Sequence, residues 1–353
     1  MNVKYVVSQL VPKGIKKSKF YQNLKLSSDK KIFLDGYNTF LQTGKTPEQA
    51  YMAIIKMYCG TNGEFTETFA NKLKLKNPAK VINEPLTGII GNFLQTDFKK
   101  VNTELNEKGY SHFEKKLSKE LCNSLYQFAS ITPARIPPAY NEKIIYQPDK
   151  PQAEIYRFDI KDLVNNSDIQ QLMMDPVLLN IARNYLGCEP IFDFPAMWWS
   201  TAFQKEASSE AAQLYHFDMD RVKWLKLFFY INDVTMENGP HCYIQGSHLP
   251  DSKPMEMLQR GYVRIKDEEL HPYYKAEDIK VVTGEAGDVF AGDTKCWHKG
   301  IPLNKGHRLV LEFEYTSSMF GVNSAKLEIE NASDEFKAFC KANKVFAQNM
   351  ELK

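Results

Sequence analysis

The sequence contains no C-x-x-C pair: its six cysteines, Cys59, Cys122, Cys188, Cys242, Cys296 and Cys340, are widely scattered. That spacing argues against a zinc ribbon or a redox dithiol, and the six read as reduced thiols. No run approaches the roughly 18 apolar residues needed to span a membrane. An excess of one charge is missing too, since 45 Lys and Arg nearly balance 43 Asp and Glu. A net charge of +2 sets up no field suited to nucleic acid or to an anionic membrane, so the expected partner is a small-molecule substrate. The N-terminal stretch has only a short apolar run, broken by Ser8, Gln9 and Pro12 and followed by lysines, too short for a secretory leader. The terminal Glu351-Leu352-Lys353 is not a peroxisomal address, and the expected location is cytoplasmic.

What is present is a folding composition, with 43% apolar and 25% charged residues over 353 positions. The first hundred or so residues read as helical. Thr46-Pro47-Glu48-Gln49 predicts an N-cap with proline at the first helical position, and an apolar run follows. Near Tyr110, the spacing of Phe113, Leu117, Leu121, Leu125 and Phe128 predicts a second helix. A third is expected from Asp168 to Leu186, stopped by Gly187. Beyond it the pattern changes to short β-branched and aromatic runs separated by turns. Strands are expected at Ile191–Phe203, Leu214–Asp218, Trp224–Ile231, His241–Ile244, Ile279–Val282, Asp288–Ala291 and Arg308–Tyr315. With no helices alternating between them, they predict an antiparallel sandwich or jelly roll. The expected organisation is a helical region over residues 1–105 packed on the core, a jelly-roll domain over 106–325 and a C-terminal helix over 326–353.

His216-Phe217-Asp218 lies on one of those strands, where side chains two apart point to the same face. His298 follows about eighty residues later. Two imidazoles and a carboxylate make the facial triad of non-haem Fe(II) oxygenases, although three protein ligands also suit a catalytic zinc. Arg308 opens the apolar strand RLVLEFEY. Its planar fork pairs in two places with a carboxylate, and beside the triad it reads as the anchor for the distal carboxylate of 2-oxoglutarate.

These residues resemble the phytanoyl-CoA dioxygenase-like branch of the Fe(II)/2-oxoglutarate-dependent oxygenases. The similarity runs roughly from Gly109 to Phe320, through GYSHFEKKLSKEL, MMDPVLLNIARNYLG, YHFDMDR, INDVTMENGPHCYIQGSH, GEAGDVFAGDTKCWHKGIP and GHRLVLEFEY. It implies an α+β, mainly β fold with a double-stranded β-helix core, cupin-like, flanked by helices. It also implies His216, Asp218 and His298 as iron ligands, Arg308 as cosubstrate anchor, and Fe(II), 2-oxoglutarate and O2 as the reacting set. Many relatives carry Ser or Thr two residues after the distal histidine; here Gly300 stands there. Lys226 is one candidate to supply the missing hydrogen bond, with outward snorkelling as the alternative. Trp198 and Trp199 are weighed as cosubstrate walls against core, with Trp199 taken for the cosubstrate site.

Asp220 and Arg221 could meet a polar substrate or form a local salt bridge. His241 and His248 read as structural. The segment of about 30 residues after Gly246 carries Arg260, Tyr262, Arg264, Tyr273 and Tyr274, suited to a polar or anionic substrate if it covers the site. The expected function is hydroxylation of an unactivated C–H of a small polar metabolite. Alternatives are the same hydrogen abstraction ending in desaturation or ring closure, and a non-catalytic jelly-roll binding protein.

Overall fold

The computed structural model describes residues 19–80, 82, 84–138 and 142–353; the stretch 1–18, and with it the reading of the leader, lies outside them. Nine strands organise the site. They are β1 (Tyr110–Lys116), β2 (Ile155–Arg157), β3 (Ile191–Thr201), β4 (Trp224–Tyr230), β5 (His241–Ile244), β6 (Ile279–Val282), β7 (Asp288–Gly292), β8 (His298–Gly300) and β9 (His307–Thr316). The large antiparallel sheet has the order β1-β7-β4-β9-β3-β2, and two-residue strands at Ala134–Arg135 and Lys143–Ile144 extend it to eight. A small sheet, β6-β5-β8, is also antiparallel. The architecture is the expected double-stranded β-helix with helices around it.

Parity along the central strands sorts the side chains into layers. On β4, Leu225, Leu227 and Phe229 join the core beneath the helices, whereas Phe228 and Tyr230 belong to a separate cluster with Tyr243, Phe290 and Val310. On β9, Leu309, Leu311, Phe313 and Tyr315 likewise face the helices. The alternate residues Arg308, Glu312 and Glu314 are buried. The outer layer comprises helices α4 (Gln95–Lys108), α5 (Lys119–Ile131), α6 (Ser167–Met173) and α7 (Pro176–Leu186).

Helices α1 (Lys19–Thr43), α2 (Glu48–Thr61) and α3 (Glu64–Leu73) cover the opposite side. There Phe33, Ile54, Tyr58 and Phe69 share one core with Tyr215, Phe217, Trp224 and Trp297. Gly36 lets α1 approach α2, because a Cβ at that position would lie 2.1 Å from the Cβ of Ala50. Expected boundaries shift in four places. α2 is capped by Pro47, not Thr46, whose Oγ1 instead accepts from Gly321 N at 3.1 Å. The helix expected from Tyr110 begins as β1, and only after Ser118 caps it through Leu121 N does α5 form. Asp175-Pro176 divides the helix expected over 168–186 into α6 and α7. The C-terminal part is more than a helix: Leu327–Ile329 and Met350–Leu352 pair in parallel around the helix Asp334–Ala342.

Candidate active site

The expected strand Leu214–Asp218 survives only as isolated bridges beside the small sheet, and those bridges assemble the metal site. His216 N donates to His298 O at 3.0 Å, and His298 N donates back to His216 O at 2.9 Å. On the other side, Tyr215 and Ile265 exchange the same pair of bonds, both at 2.9 Å. Asp218 is fixed by its N–H to Thr294 O at 2.8 Å. The three residues expected as ligands are thus brought together, with one ligand atom from each lying within 4.8 Å of the others. His216 Nε2 is 3.8 Å from Asp218 Oδ1, and His298 Nε2 is 3.7 Å from Asp218 Oδ2.

Each imidazole is aimed by its other nitrogen. His216 Nδ1 bonds Leu214 O at 2.9 Å and His298 Nδ1 bonds Cys296 O at 3.0 Å. A carbonyl accepts only from N–H, so both rings carry the proton on Nδ1 and turn Nε2 toward the shared point, as metal-ligating histidines do. Burial holds both below the ordinary imidazole range, favouring the neutral form a metal needs. Asp218 is buried, which alone would raise it, but Lys226 and the two histidines hold it well below the usual carboxylate range. Donor types and spacing therefore fit a divalent ion.

Lys226 does not snorkel. It lies on central strand β4 with its Nζ 3.0 Å from Asp218 Oδ2, 3.3 Å from Glu312 Oε1 and 3.5 Å from Glu314 Oε2. Its partners are the ligand carboxylate and two acids of β9, so its role differs from the cosubstrate bond expected of it. Glu314 is fully buried and pushed well above the ordinary range by that burial.

Arg308 lines the same cavity, 3% exposed. Its Nη2 donates to Ser200 Oγ at 3.2 Å, while Nε and Nη1 have no partner among the described residues. Burial lowers the guanidinium from its usual range. Buried donors aimed into a cavity without an acceptor fit the distal carboxylate of a 2-oxo diacid. Ser200, the register partner of Arg308 on β3, supplies a hydroxyl beside the guanidinium where Gly300 has none. A Cβ on Gly300 would sit 3.4 Å from Arg308 Nη2. Sequence reading missed Ser200, because its pairing with Arg308 depends on a register between strands more than 100 residues apart.

The cavity has a volume of about 280 Å³. Trp198, Phe194, Phe228 and Ile155 form apolar wall, and Asp220, His241, Arg157 and Arg264 add polar edges. Trp199 is a correction: it points to the opposite face, 1% exposed, against Tyr126, Tyr146 and His307. Strand parity requires this, since Trp198 and Ser200 share the inward face. Arg221 turns away to pair with Asp193, its Nη2 2.8 Å from Oδ1, which leaves Asp220 facing the cavity. Burial and the charge of Asp218 push Asp220 up to about 6. His241 was read as structural but lines the cavity, its Nδ1 3.2 Å from the Tyr230 hydroxyl. His112 lies on β1 with its Nε2 3.2 Å from Asp288 Oδ2, and His248 contacts Cys296 at 3.6 Å.

A search of curated proteins finds no match. Among solved structures the chain is similar to HygX from Streptomyces hygroscopicus, whose structure has nickel and 2-oxoglutarate bound: 16% identity, 69% of this chain and 94% of that one, TM-score 0.47. It is similar as well to EctD from S. alaskensis, at 18% identity over 70% of this chain and 88% of that one, TM-score 0.46. The carbocyclase SnoK of nogalamycin biosynthesis aligns at 16% identity over 62% of this chain and 83% of that one, TM-score 0.43. Likenesses this distant say nothing of the substrate. The family model for phytanoyl-CoA dioxygenase is different in kind, for it matches residues 105–308, from the last turn of α4 to the buried arginine. More than half of the chain is covered, and the protein belongs to the phytanoyl-CoA dioxygenase family of Fe(II)- and 2-oxoglutarate-dependent oxygenases.

Proposed function

We propose that the protein hydroxylates an unactivated C–H bond of a small polar metabolite. The observation that carries this reading is one cavity holding both the His216, Asp218 and His298 cluster and a buried guanidinium with two free donors. With 2-oxoglutarate and O2, bound Fe(II) supplies an oxidant able to take hydrogen from such a bond, leaving succinate and CO2. His216, Asp218 and His298 would hold the metal, the imidazoles oriented by their Nδ1–H bonds and the carboxylate by Lys226. Arg308 and Ser200 would hold the distal carboxylate of the cosubstrate. Trp198, Phe194 and Phe228 exclude water from the space where the substrate C–H must sit.

The test is anaerobic addition of Fe(II) and then 2-oxoglutarate, followed in the visible for the weak charge-transfer band of the chelate, and a succinate assay across a metabolite panel. The expected result is a band that needs both additions and succinate release stimulated by particular compounds. His216→Ala and His298→Ala should lose the band and turnover while keeping the circular dichroism of the native fold. Full turnover in either variant would refute the metal assignment.

A further inference from the structure

Of the five polar residues in the segment between Gly246 and β6 that sequence singled out, the structure spends three elsewhere. Arg260 Nη1 pairs with Glu269 Oε1 at 2.7 Å, the Tyr273 hydroxyl bonds Glu256, and the Tyr274 hydroxyl donates to Ser252 O at 3.2 Å. Tyr262 is 45% exposed with its ring edge-on to Phe217, which is not among the cavity's lining residues. Arg264 alone of the five lines the cavity. Its Nη1 is buried and has no hydrogen-bond partner among the described residues.

The placement of Arg264 is built. Its neighbour Ile265 is bonded in both directions to Tyr215, which precedes the ligand His216, so the guanidinium stem starts from backbone locked beside the metal-binding segment. The other cations around the cavity have a partner in the protein or a place in the oxygenase reading. Lys226 faces Asp218, Glu312 and Glu314; Arg157 lies over the Trp198 ring at 5.8 Å; Arg308 is held by Ser200, and its two unpaired donors are those assigned above to 2-oxoglutarate. Asp220 lines the same cavity, yet no ion pair joins it to Arg264 among the described residues. A buried N–H of a charged fork without an acceptor is costly unless something that enters the cavity completes it, and a planar fork is suited to a carboxylate or phosphate.

We propose that Arg264 is the residue that binds the substrate, and that the substrate is a small oxyanion whose carboxylate or phosphate pairs with this guanidinium. The assignment rests on the oxygenase reading of the cavity. A space of about 280 Å³ shared with 2-oxoglutarate sets the size of the substrate.

The experiment is calorimetric titration of the full chain, loaded anaerobically with Fe(II) and saturating 2-oxoglutarate, with acetate, inorganic phosphate and acetamide as separate probes. One anion is expected to bind at a single site and acetamide not to bind. Binding of acetate marks a carboxylate substrate, and binding of phosphate a phosphorylated one. Arg264→Met should weaken that anion at least tenfold while the dissociation constant for 2-oxoglutarate stays within about twofold, and Arg264→Lys should recover part of the loss. Should the Met variant be unstable, Arg264→Gln gives the same comparison. Absence of binding by both anions, equal binding of acetamide, or an unaltered Met variant overturns the proposal. Loss of 2-oxoglutarate binding in the Met variant would place Arg264 on the cosubstrate and overturn the proposal while leaving the oxygenase reading intact. A wild-type chain that fails to take up Fe(II) and 2-oxoglutarate overturns both.

Discussion

Arg308 and Lys226 are both cations buried between the sheets, and they differ in what completes them. Lys226 finds its partners within the protein, in the carboxylate of Asp218 and the carboxyl groups of Glu312 and Glu314. Arg308 has two donors left over. Arg308→Ala should therefore act chiefly on the cosubstrate. Truncating one side of a buried charge pair costs about 2–5 kcal/mol, so the dissociation constant of 2-oxoglutarate should rise about 30-fold or more, with Fe(II) affinity unchanged. Titration of each ligand separately checks this; lost iron with normal 2-oxoglutarate binding would move Arg308 out of the site. Lys226→Met should do the reverse. Three acids lose their common partner, and breaking such a buried network costs about 3–5 kcal/mol. Loss of the lysine that orients Asp218 should also weaken metal binding by about 10–100-fold. Urea unfolding and a metal titration measure the two effects, and a variant unchanged in both would show that Lys226 does not support Asp218.

Among elements, the junction between α6 and α7 is set by a single side chain. Asp175 accepts from Val177 N and Leu178 N, each at 2.9 Å, and also from Ile89 N in the turn packed on α7. Asp175→Ala removes a helix cap and frees that turn, so a loss of about 1–2 kcal/mol is expected in chemical unfolding, with cosubstrate affinity preserved. A loss below a few tenths would mean that the cap is dispensable. The Asp-Pro step was open to view in the sequence as a place where a helix must restart. It was overridden by the apolar spacing around it, which reads smoothly from 168 to 186. β1 differs from the expected helix for a related reason: Phe113 and Leu117 fit a four-residue repeat, while the strand that holds Phe113 depends on pairing with β7, far along the chain. The ligands and Arg308 were legible because their residue types and order carry the chemistry. The side toward which Trp198, Trp199 and Lys226 point was not legible, since it depends on register with β9, which places Arg308 opposite Ser200 and Glu314 opposite Lys226.

At the scale of the whole molecule, the N-terminal helices meet the catalytic layer through Lys253. Its Nζ is fully enclosed, donates to the Tyr58 hydroxyl of α2 at 2.9 Å and to Lys295 O at 2.6 Å, and lies about 5.5 Å from the rings of Phe217 and Trp297. Each of those rings is adjacent in sequence to a metal ligand. Burial pushes Lys253 down to about 7. The unfolded chain keeps this proton up to the ordinary lysine range near 10.5, so between the two values the unfolded state binds more protons and the folded state gains stability as pH rises. Relative to Lys253→Met, the wild-type protein should become more stable from pH 7 to pH 10, by on the order of a few kcal/mol. Urea unfolding of both proteins at stepped pH checks the sign; a difference that is flat with pH would mean the proton is retained on folding.

The paired backbone bonds between His216 and His298 have a consequence for how the enzyme comes to life. Two ligands separated by more than eighty residues are fastened to each other by their own peptide groups, with both rings already turned by neighbouring carbonyls. Part of the ordering that a metal would otherwise have to impose is thus supplied by the chain's own peptide groups. A chelator should therefore strip iron from the protein without unfolding it, and circular dichroism before and after chelation checks this.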